Sequence, residues 1–279
     1  MVNLKIGILI QARLNSSRLP GKILLPLPNA SGKTLLDQIV LRALAVKQKT
    51  EVIIATSTRA ENNVLADVAT RNQVLLFRGD EEDVLARFYQ AAKHFGLDII
   101  IRLTADNPFI DPAILSQSLQ DHIAQEAEYT YTTGLPIGTN IEIVSFRALK
   151  KCYEIAQLPE HREHVTIYIR QNPNKFKILP LNLENSLYGL PNWRLTVDNE
   201  TDYALACVLY LLLGTGNAIF SLPEVAQILH TNPALLLVNK NNYQKKVFTS
   251  VQEELTEAVQ FLQSLDFLAA AKLLAAQTP

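Results

Sequence analysis

The sequence predicts an α/β protein: an open, doubly wound, mostly parallel sheet, then a smaller strand-rich stretch and a helical C-terminal extension. Three observations carry this. Four short, β-branched and almost wholly apolar runs alternate with amphipathic stretches through the first hundred residues, the pattern of parallel strands covered on both faces. The resulting order, β-α-β-α-β-α-β, requires right-handed crossovers. With 279 residues, 48% of them apolar and 19% charged, the chain has enough apolar surface to bury a sizeable core.

The elements follow in order. Lys5 to Gln11, Glu51 to Ala55, Val74 to Phe77 and Asp98 to Leu103 read as buried strands. Leu35, Leu36, Ile39, Val40 and Ala43 form one helical face, opened by Thr34 and Asp37 at capping-box spacing. Asn62 to Arg71 and Asp83 to Phe95 supply two further helices, and Asp111 before Pro112 reads as a helix cap. Tyr129 to Thr133, Ile141 to Phe146 and Phe176 to Leu183 look like strands around helices at Arg147 to Ala156 and Glu163 to Gln171. Trp193 to Val197 reads as one more strand, followed by a helix from Thr201 to Leu213. Beyond Gly214 and Gly216 the pattern is helical. Val238 to Ser250 is a polar connector, and Val251, Leu255, Val259 and Leu262 form a stripe on a later helix. The expected division is therefore 1–213, with a subregion at 129–190, and 214–279.

Charge narrows the function. Twenty-six Lys and Arg against 27 Asp and Glu leave a net charge of −1, so nothing global favours nucleic acid or an anionic membrane. Any anion must be held by a local basic cluster. No run approaches the ~18 apolar residues of a membrane span, and the expectation is a cytoplasmic protein. Cys152 and Cys207 are too few for a disulfide framework or a structural zinc site and are expected to be reduced structural thiols. Gly32-Lys33-Thr34 resembles the end of a P-loop, but Leu27 stands where that motif needs its first glycine.

The basic cluster lies directly after the first strand, at Ala12-Arg13-Leu14-Asn15-Ser16-Ser17-Arg18-Leu19-Pro20-Gly21-Lys22. Serine, asparagine and glycine let the backbone curl and aim its N–H groups. Arg contributes a planar fork and Lys a mobile point charge, a combination suited to a polyphosphate. Ligands of doubly wound sheets bind beyond the strands' carboxyl ends, where this loop begins.

The stretch A-R-x-x-S-x-R-L-P-G-K closely resembles the signature loop of the sugar-acid cytidylyltransferases. Further resemblances lie at Ala55-Thr56-Ser57, Phe77 to Leu85, Asp106 to Asp111, Arg162 to Thr166 and Leu195 to Asp198, spanning roughly residues 4 to 205. Together they look most like the SpsF-like branch. The resemblance implies a Rossmann-like fold of the nucleotide-diphospho-sugar transferase type, and a homodimer formed through the strand-rich insertion. It also implies transfer of CMP from CTP to a sugar acid with release of pyrophosphate, in surface-polysaccharide or glycan biosynthesis.

By that resemblance Asp106 and Asp198 hold Mg²⁺, an ion that takes few protein carboxylates and completes its shell with phosphate and water. Arg13 and Lys22, with Arg18, hold the triphosphate. Ala12, Thr56, Ser57, Arg78, Gly79 and Thr104 line the nucleotide pocket, and Glu142, Arg162 and His164 meet the acceptor. No protein general base stands out. The acidic run Asp80 to Asp83 reads as a helix start rather than a metal site, and His161 with His164 does not match the H-E-x-x-H zinc motif. Two departures stand in the site. Thr104 replaces a glutamine of the octulosonate enzymes, and Asn140 replaces an aspartate usual in the SpsF-like branch. Three alternatives stand beside this reading: another nucleotide or acceptor; a catalytically silent nucleotide-binding protein, which the two departures favour and the retention of Arg13, Lys22, Asp106 and Asp198 disfavours; and an inverting glycosyltransferase of similar α/β build. The last would carry a D-x-D pair, which Asp106-Asn107-Pro108 is not.

Overall fold

In the computed structural model, residues 4–29, 31–184, 193–214, 219–243 and 250–276 are described. The chain divides into two compact units, Met1–Lys240 and Asn241–Pro279.

The first unit is built on one seven-stranded sheet. Its strands are β1 (Ile6–Gln11), β2 (Glu51–Ser57), β3 (Leu75–Gly79), β4 (Ile99–Thr104), β5 (Tyr129–Thr133), β6 (Glu142–Ser145) and β7 (Ile178–Asn182). Their order in space is β3-β2-β1-β4-β6-β5-β7. Pairings are parallel except those of β6, which runs against both β4 and β5. The strand-rich stretch thus continues the same sheet. Its predicted end, from residue 185 to Leu190, lies outside the described residues, as do Gly216 and residues 244–249 of the polar connector.

Helices cover both faces, which is why the central strands read as continuous apolar runs. They are α1 (Leu35–Leu44), α2 (Leu65–Arg71), α3 (Val84–His94), α4 (Pro112–Ala124), α5 (Phe146–Ile155), α6 (Pro159–Glu163), α7 (Ile167–Gln171), α8 (Glu200–Leu213) and α9 (Leu222–Thr231). Ile8, Ile10, Ile54, Ile101 and Leu103 face a core filled from α1, α2, α4, α8 and α9. Leu9, Ile53, Ile100 and Val144 face a second core filled from α3, α5 and α7. The helix starts follow their caps: Thr34 and Asp37 close a capping box on α1, and Asp111 accepts from the N–H groups of Ala113 and Ile114.

Three elements differ from the sequence expectation. The helix expected from Asn62 begins as a 3₁₀ turn over Ala60–Val64. The one expected over Glu163 to Gln171 is broken: α6 ends at Glu163 and α7 begins at Ile167. Between them Val165 is buried in the core and the Thr166 hydroxyl donates to Glu142 at 2.8 Å, tertiary contacts that override helical periodicity. The segment from Trp193 to Val197 is not a ladder strand but carries a single parallel bridge, Ile137 with Arg194.

The first unit runs beyond Leu213. Phe220, Leu222, Val225 and Leu229 are buried in its core, and Arg42 on α1 donates to the carbonyls of Ile110 (3.1 Å) and Phe220 (2.9 Å). The second unit pairs α10 (Val251–Ser264) with α11 (Leu268–Ala275). In its predicted stripe Leu255, Val259 and Leu262 are half-buried and Val251 is exposed. Cys152 and Cys207 are both free, and burial pushes the Cys152 thiol up to about 12, too high for a reactive thiolate. No helix among the described residues is long and apolar enough to cross a membrane.

Candidate active site

The sheet order creates the site. From β1 the chain winds one way to β2 and β3 and the other way to β4. The loops leaving β1 and β4 therefore diverge above their carboxyl ends, opening a crevice at the topological switch point. The loop after β1 is held at both ends. Ala12, buried, donates its N–H to the Ala55 carbonyl at 3.2 Å. Gly21 takes φ +68°, a left-handed conformation that favours glycine, and donates to the Leu14 carbonyl at 3.1 Å. That turn aims Lys22 inward.

Lys22 is only 8% exposed. Its Nζ donates to Asp106 Oδ2 at 3.1 Å, to Asp198 Oδ1 at 3.0 Å and to the Val197 carbonyl at 2.7 Å. Arg18 reaches the same Asp198 oxygen at 2.9 Å. Four residues from three distant parts of the sequence converge here, all of them named by the sequence reading. Backbone pairing makes the meeting possible: the Val197 N–H donates to the Asp106 carbonyl at 2.8 Å, locking the 193–198 segment alongside the end of β4. Thr104 belongs to this group too. Its hydroxyl donates to Asp106 Oδ1 at 2.6 Å and accepts from Asn107 Nδ2 at 2.8 Å, so it orients the aspartate.

Electrostatics at this point are balanced by local pairs. Burial raises the pKa of Asp198, but the charges of Lys22, Arg18 and Arg194 outweigh it and hold the carboxyl below its usual range. The donor set fits Mg²⁺: two carboxylates on neighbouring segments aim at one cation, the ammonium of Lys22. No cluster of three or more His, Cys, Asp or Glu that could cage a metal occurs among the described residues, and two carboxylates are a typical protein share for magnesium.

The remaining predicted residues form two further groups. In the first, Asn62 is completely buried and ties the β1 loop to β2: its Oδ1 accepts from the Leu14 N–H at 2.9 Å and its Nδ2 donates to Ser57 Oγ at 2.8 Å. Thr56 beside it is buried, with no hydrogen-bond partner for its hydroxyl among the described residues. Arg78 donates to the carbonyls of Ser57 and Arg59 and to Asn63 Oδ1, so it holds the turn after β2. A Cβ on Gly79 would lie 3.0 Å from the Arg87 side chain. Arg13 pairs at 3.6 Å with Glu81, while Asp80 and Asp83 cap the turn into α3, as expected of a helix start.

The second group surrounds Glu142. Arg102 Nη1 (2.6 Å) and Arg170 Nη2 (2.9 Å) donate to its carboxylate, as do the hydroxyls of Tyr129 and Thr166. Burial raises its pKa, but the two arginine charges and the two hydroxyls outweigh that and bring it down to about 2. Arg162 belongs instead with the first group, pairing with Asp83 at 3.3 Å, and lies over the Tyr153 ring. His164 sits half-buried at the break between α6 and α7.

Sequence reasoning missed Asn62, Arg102, Arg194, Asp202 and Asn239. Only one signal was available for them: Arg194, Asp198 and Asp202 recur every four residues with charges that pair.

The signature of the cytidylyltransferase family matches residues 7–210, a span that includes every residue described at the site except Asn239. The chain belongs to the cytidylyltransferase family. It is accordingly an enzyme, a nucleotidyltransferase. It is similar to the spore coat polysaccharide biosynthesis protein SpsF of Bacillus subtilis, 36% identical over 81% of this chain and 94% of that protein. It resembles the 3-deoxy-manno-octulosonate cytidylyltransferase of Yersinia pseudotuberculosis over a shorter stretch, 32% identical over 51% of this chain and 55% of that protein. Among solved structures, a cytidylyltransferase from Leptospira borgpetersenii superposes with a TM-score of 0.78 at 30% identity, covering 88% of this chain and all of that one.

Proposed function

We propose that this cytidylyltransferase moves CMP from CTP to a hydroxyl of a sugar acid, with Mg²⁺ held by Asp106 and Asp198, in the biosynthesis of a surface polysaccharide or glycan. The observation that carries the reading is the convergence of Asp106 and Asp198 on one cationic nitrogen beneath the Arg13–Lys22 loop. One relative, an octulosonate cytidylyltransferase, supports the sugar-acid acceptor, and the other, a spore coat polysaccharide biosynthesis protein, supports the polysaccharide setting.

Each group on this chain has a task in that reaction. Lys22 and Arg18 exchange carboxylate partners for phosphate oxygens when the triphosphate enters, and Arg13 does the same from Glu81. Bound Mg²⁺ supplies charge neutralisation at the phosphates. The acceptor oxygen forms a bond to the α-phosphorus, the α–β phosphoanhydride breaks, pyrophosphate leaves and the hydroxyl proton passes to solvent. The protein's work is positioning and charge stabilisation. Thr56, Ser57, Arg78 and Gly79 wall the nucleotide side, Thr104 aims Asp106, and Glu142, Arg162 and His164 lie on the acceptor side. The reading carries with it a homodimer and a cytoplasmic location, where nucleoside triphosphates are made.

The test is pyrophosphate release with Mg²⁺, using the four nucleoside triphosphates against a panel of 2-keto-3-deoxy sugar acids. Release is expected with CTP and to fall about 10²-fold or more in Asp106→Asn and in Lys22→Ala. Release with another nucleotide would reassign the base. Binding of nucleotide without turnover for any acceptor would replace the reading by a silent nucleotide-binding role.

A further inference from the structure

We infer that Asp202 and Asn239 are positioning residues that set the charge and orientation of Asp198 through Arg194. The inference rests on the reading of Asp198 as a metal ligand given above.

Asp198 presents its two oxygens to different neighbours. Oδ1 faces Lys22 and Arg18, whereas Oδ2 accepts from Arg194 Nη2 at 2.7 Å. Arg194 is buried and permanently charged. Alone, this guanidinium would neutralise Asp198 and remove the charge that attracts a divalent cation.

Asp202 takes up that charge. Its carboxylate is fully buried and accepts from Arg194 Nε at 3.0 and 3.1 Å and from Nη2 at 3.0 Å. The same carboxylate accepts the backbone N–H of Asp198 at 3.0 Å. One side chain therefore balances the arginine and holds the backbone of the ligand. Asn239 braces it, donating from Nδ2 to Asp202 Oδ1 at 2.9 Å and to the Arg194 carbonyl at 3.0 Å. Being neutral, it fixes the geometry without altering the charge. Asp202 and Asn239 are both buried, at 2% and 4% exposure, so they act on Asp198 rather than on substrate. Partners behind metal ligands commonly change affinity by about 10–100-fold when removed.

Asn239 also gives the chain after α9 a task in the site. It lies beyond the span that the family signature matches, yet it is bonded to two residues of the 193–202 segment.

The experiment is Mn²⁺ binding to the full-length protein, followed by electron paramagnetic resonance with and without CTP, alongside thermal melts. Asp202→Asn is expected to weaken Mn²⁺ binding about tenfold, and Asn239→Ala by a smaller factor. The double variant Arg194→Gln/Asp202→Asn removes both buried charges together and is expected to recover affinity toward wild type. A merely structural role for Asp202 would not produce that recovery, and the pair also serves if the single variant does not fold. Wild-type Mn²⁺ affinity in Asp202→Asn, or no recovery in the double variant, overturns the inference. Unchanged binding in Asp198→Asn would instead overturn the assignment of Asp198 as a ligand, so the two failures are distinct.

Discussion

Lys22 and Glu142 show how charged side chains survive burial in this site. Each is surrounded by partners that replace water: two carboxylates and a carbonyl for Lys22, two guanidinium groups and two hydroxyls for Glu142. A buried charge without such partners is strongly unfavourable. Glu142 gives this a pH signature. Its carboxyl is depressed from 4.5 to about 2 in the folded protein, so the folded state binds fewer protons between those values. The associated stabilisation, on the order of 3 kcal/mol, is complete above pH 4.5 and is lost as pH falls toward 2. Glu142→Gln leaves Arg102 and Arg170 without their shared counter-charge and is expected to destabilise by about 3–5 kcal/mol at pH 7. Urea unfolding should show the gap between wild type and variant shrinking by pH 3. A gap that stays constant with pH would contradict this assignment of the charge.

Short segments rather than long elements place the site. The 193–198 stretch is held on one side by the Asp106 carbonyl and on the other by the 134–140 loop. At Gly138 φ is +94°, and a Cβ there would lie 2.7 Å from the Thr196 backbone nitrogen. Gly138→Ala is therefore expected to cost about 1–3 kcal/mol for the backbone conformation alone and to push away the segment that carries Asp198. The measurable consequence is a lower melting temperature together with weaker Mn²⁺ binding. A variant that melts lower yet binds Mn²⁺ like wild type would show that Asp198 is held independently of this loop. The break between α6 and α7 works the same way, since it frees Thr166 to reach Glu142 and leaves Arg170 on the next turn to pair with it.

At the scale of the molecule, the compact unit that forms the site is longer than the span that the family signature matches. The signature ends at residue 210, whereas the compact unit extends to Lys240. Phe220, Leu222, Val225 and Leu229 bury apolar side chains in the shared core. At about 1.5–3 kcal/mol each, they contribute an amount comparable to a domain's whole stability. The Leu222 N–H also donates to Asp111 Oδ2 at 2.7 Å, which joins α9 to the cap of α4. A chain ending at Leu213 is thus expected to be largely unfolded by circular dichroism, while one ending at Lys240 melts cooperatively. Cooperative melting of the shorter chain would show that α9 is dispensable for the fold.

The sequence by itself determined the sheet, most helix starts and the principal charges of the site. Apolar runs four to seven residues long, capping residues and a basic loop after the first strand are local signals, and local backbone physics acts on them directly. Arg18, Lys22, Asp106 and Asp198 could be named from it because family motifs preserve order along the chain. What only the tertiary structure decided is pairing. The bonds of Lys22 to both aspartates, Arg102 to Glu142 and Asn62 to the β1 loop join residues 40 to 176 positions apart. No periodicity links such residues; parallel strands bring distant carboxyl ends to one edge, and antiparallel β6 sets Glu142 opposite Arg102. The same holds for Arg194, Asp202 and Asn239. Beyond the four-residue spacing of Arg194, Asp198 and Asp202 they carry no signal in the sequence, and the link to Asn239 exists only once the 193–202 segment and the chain after α9 are packed together.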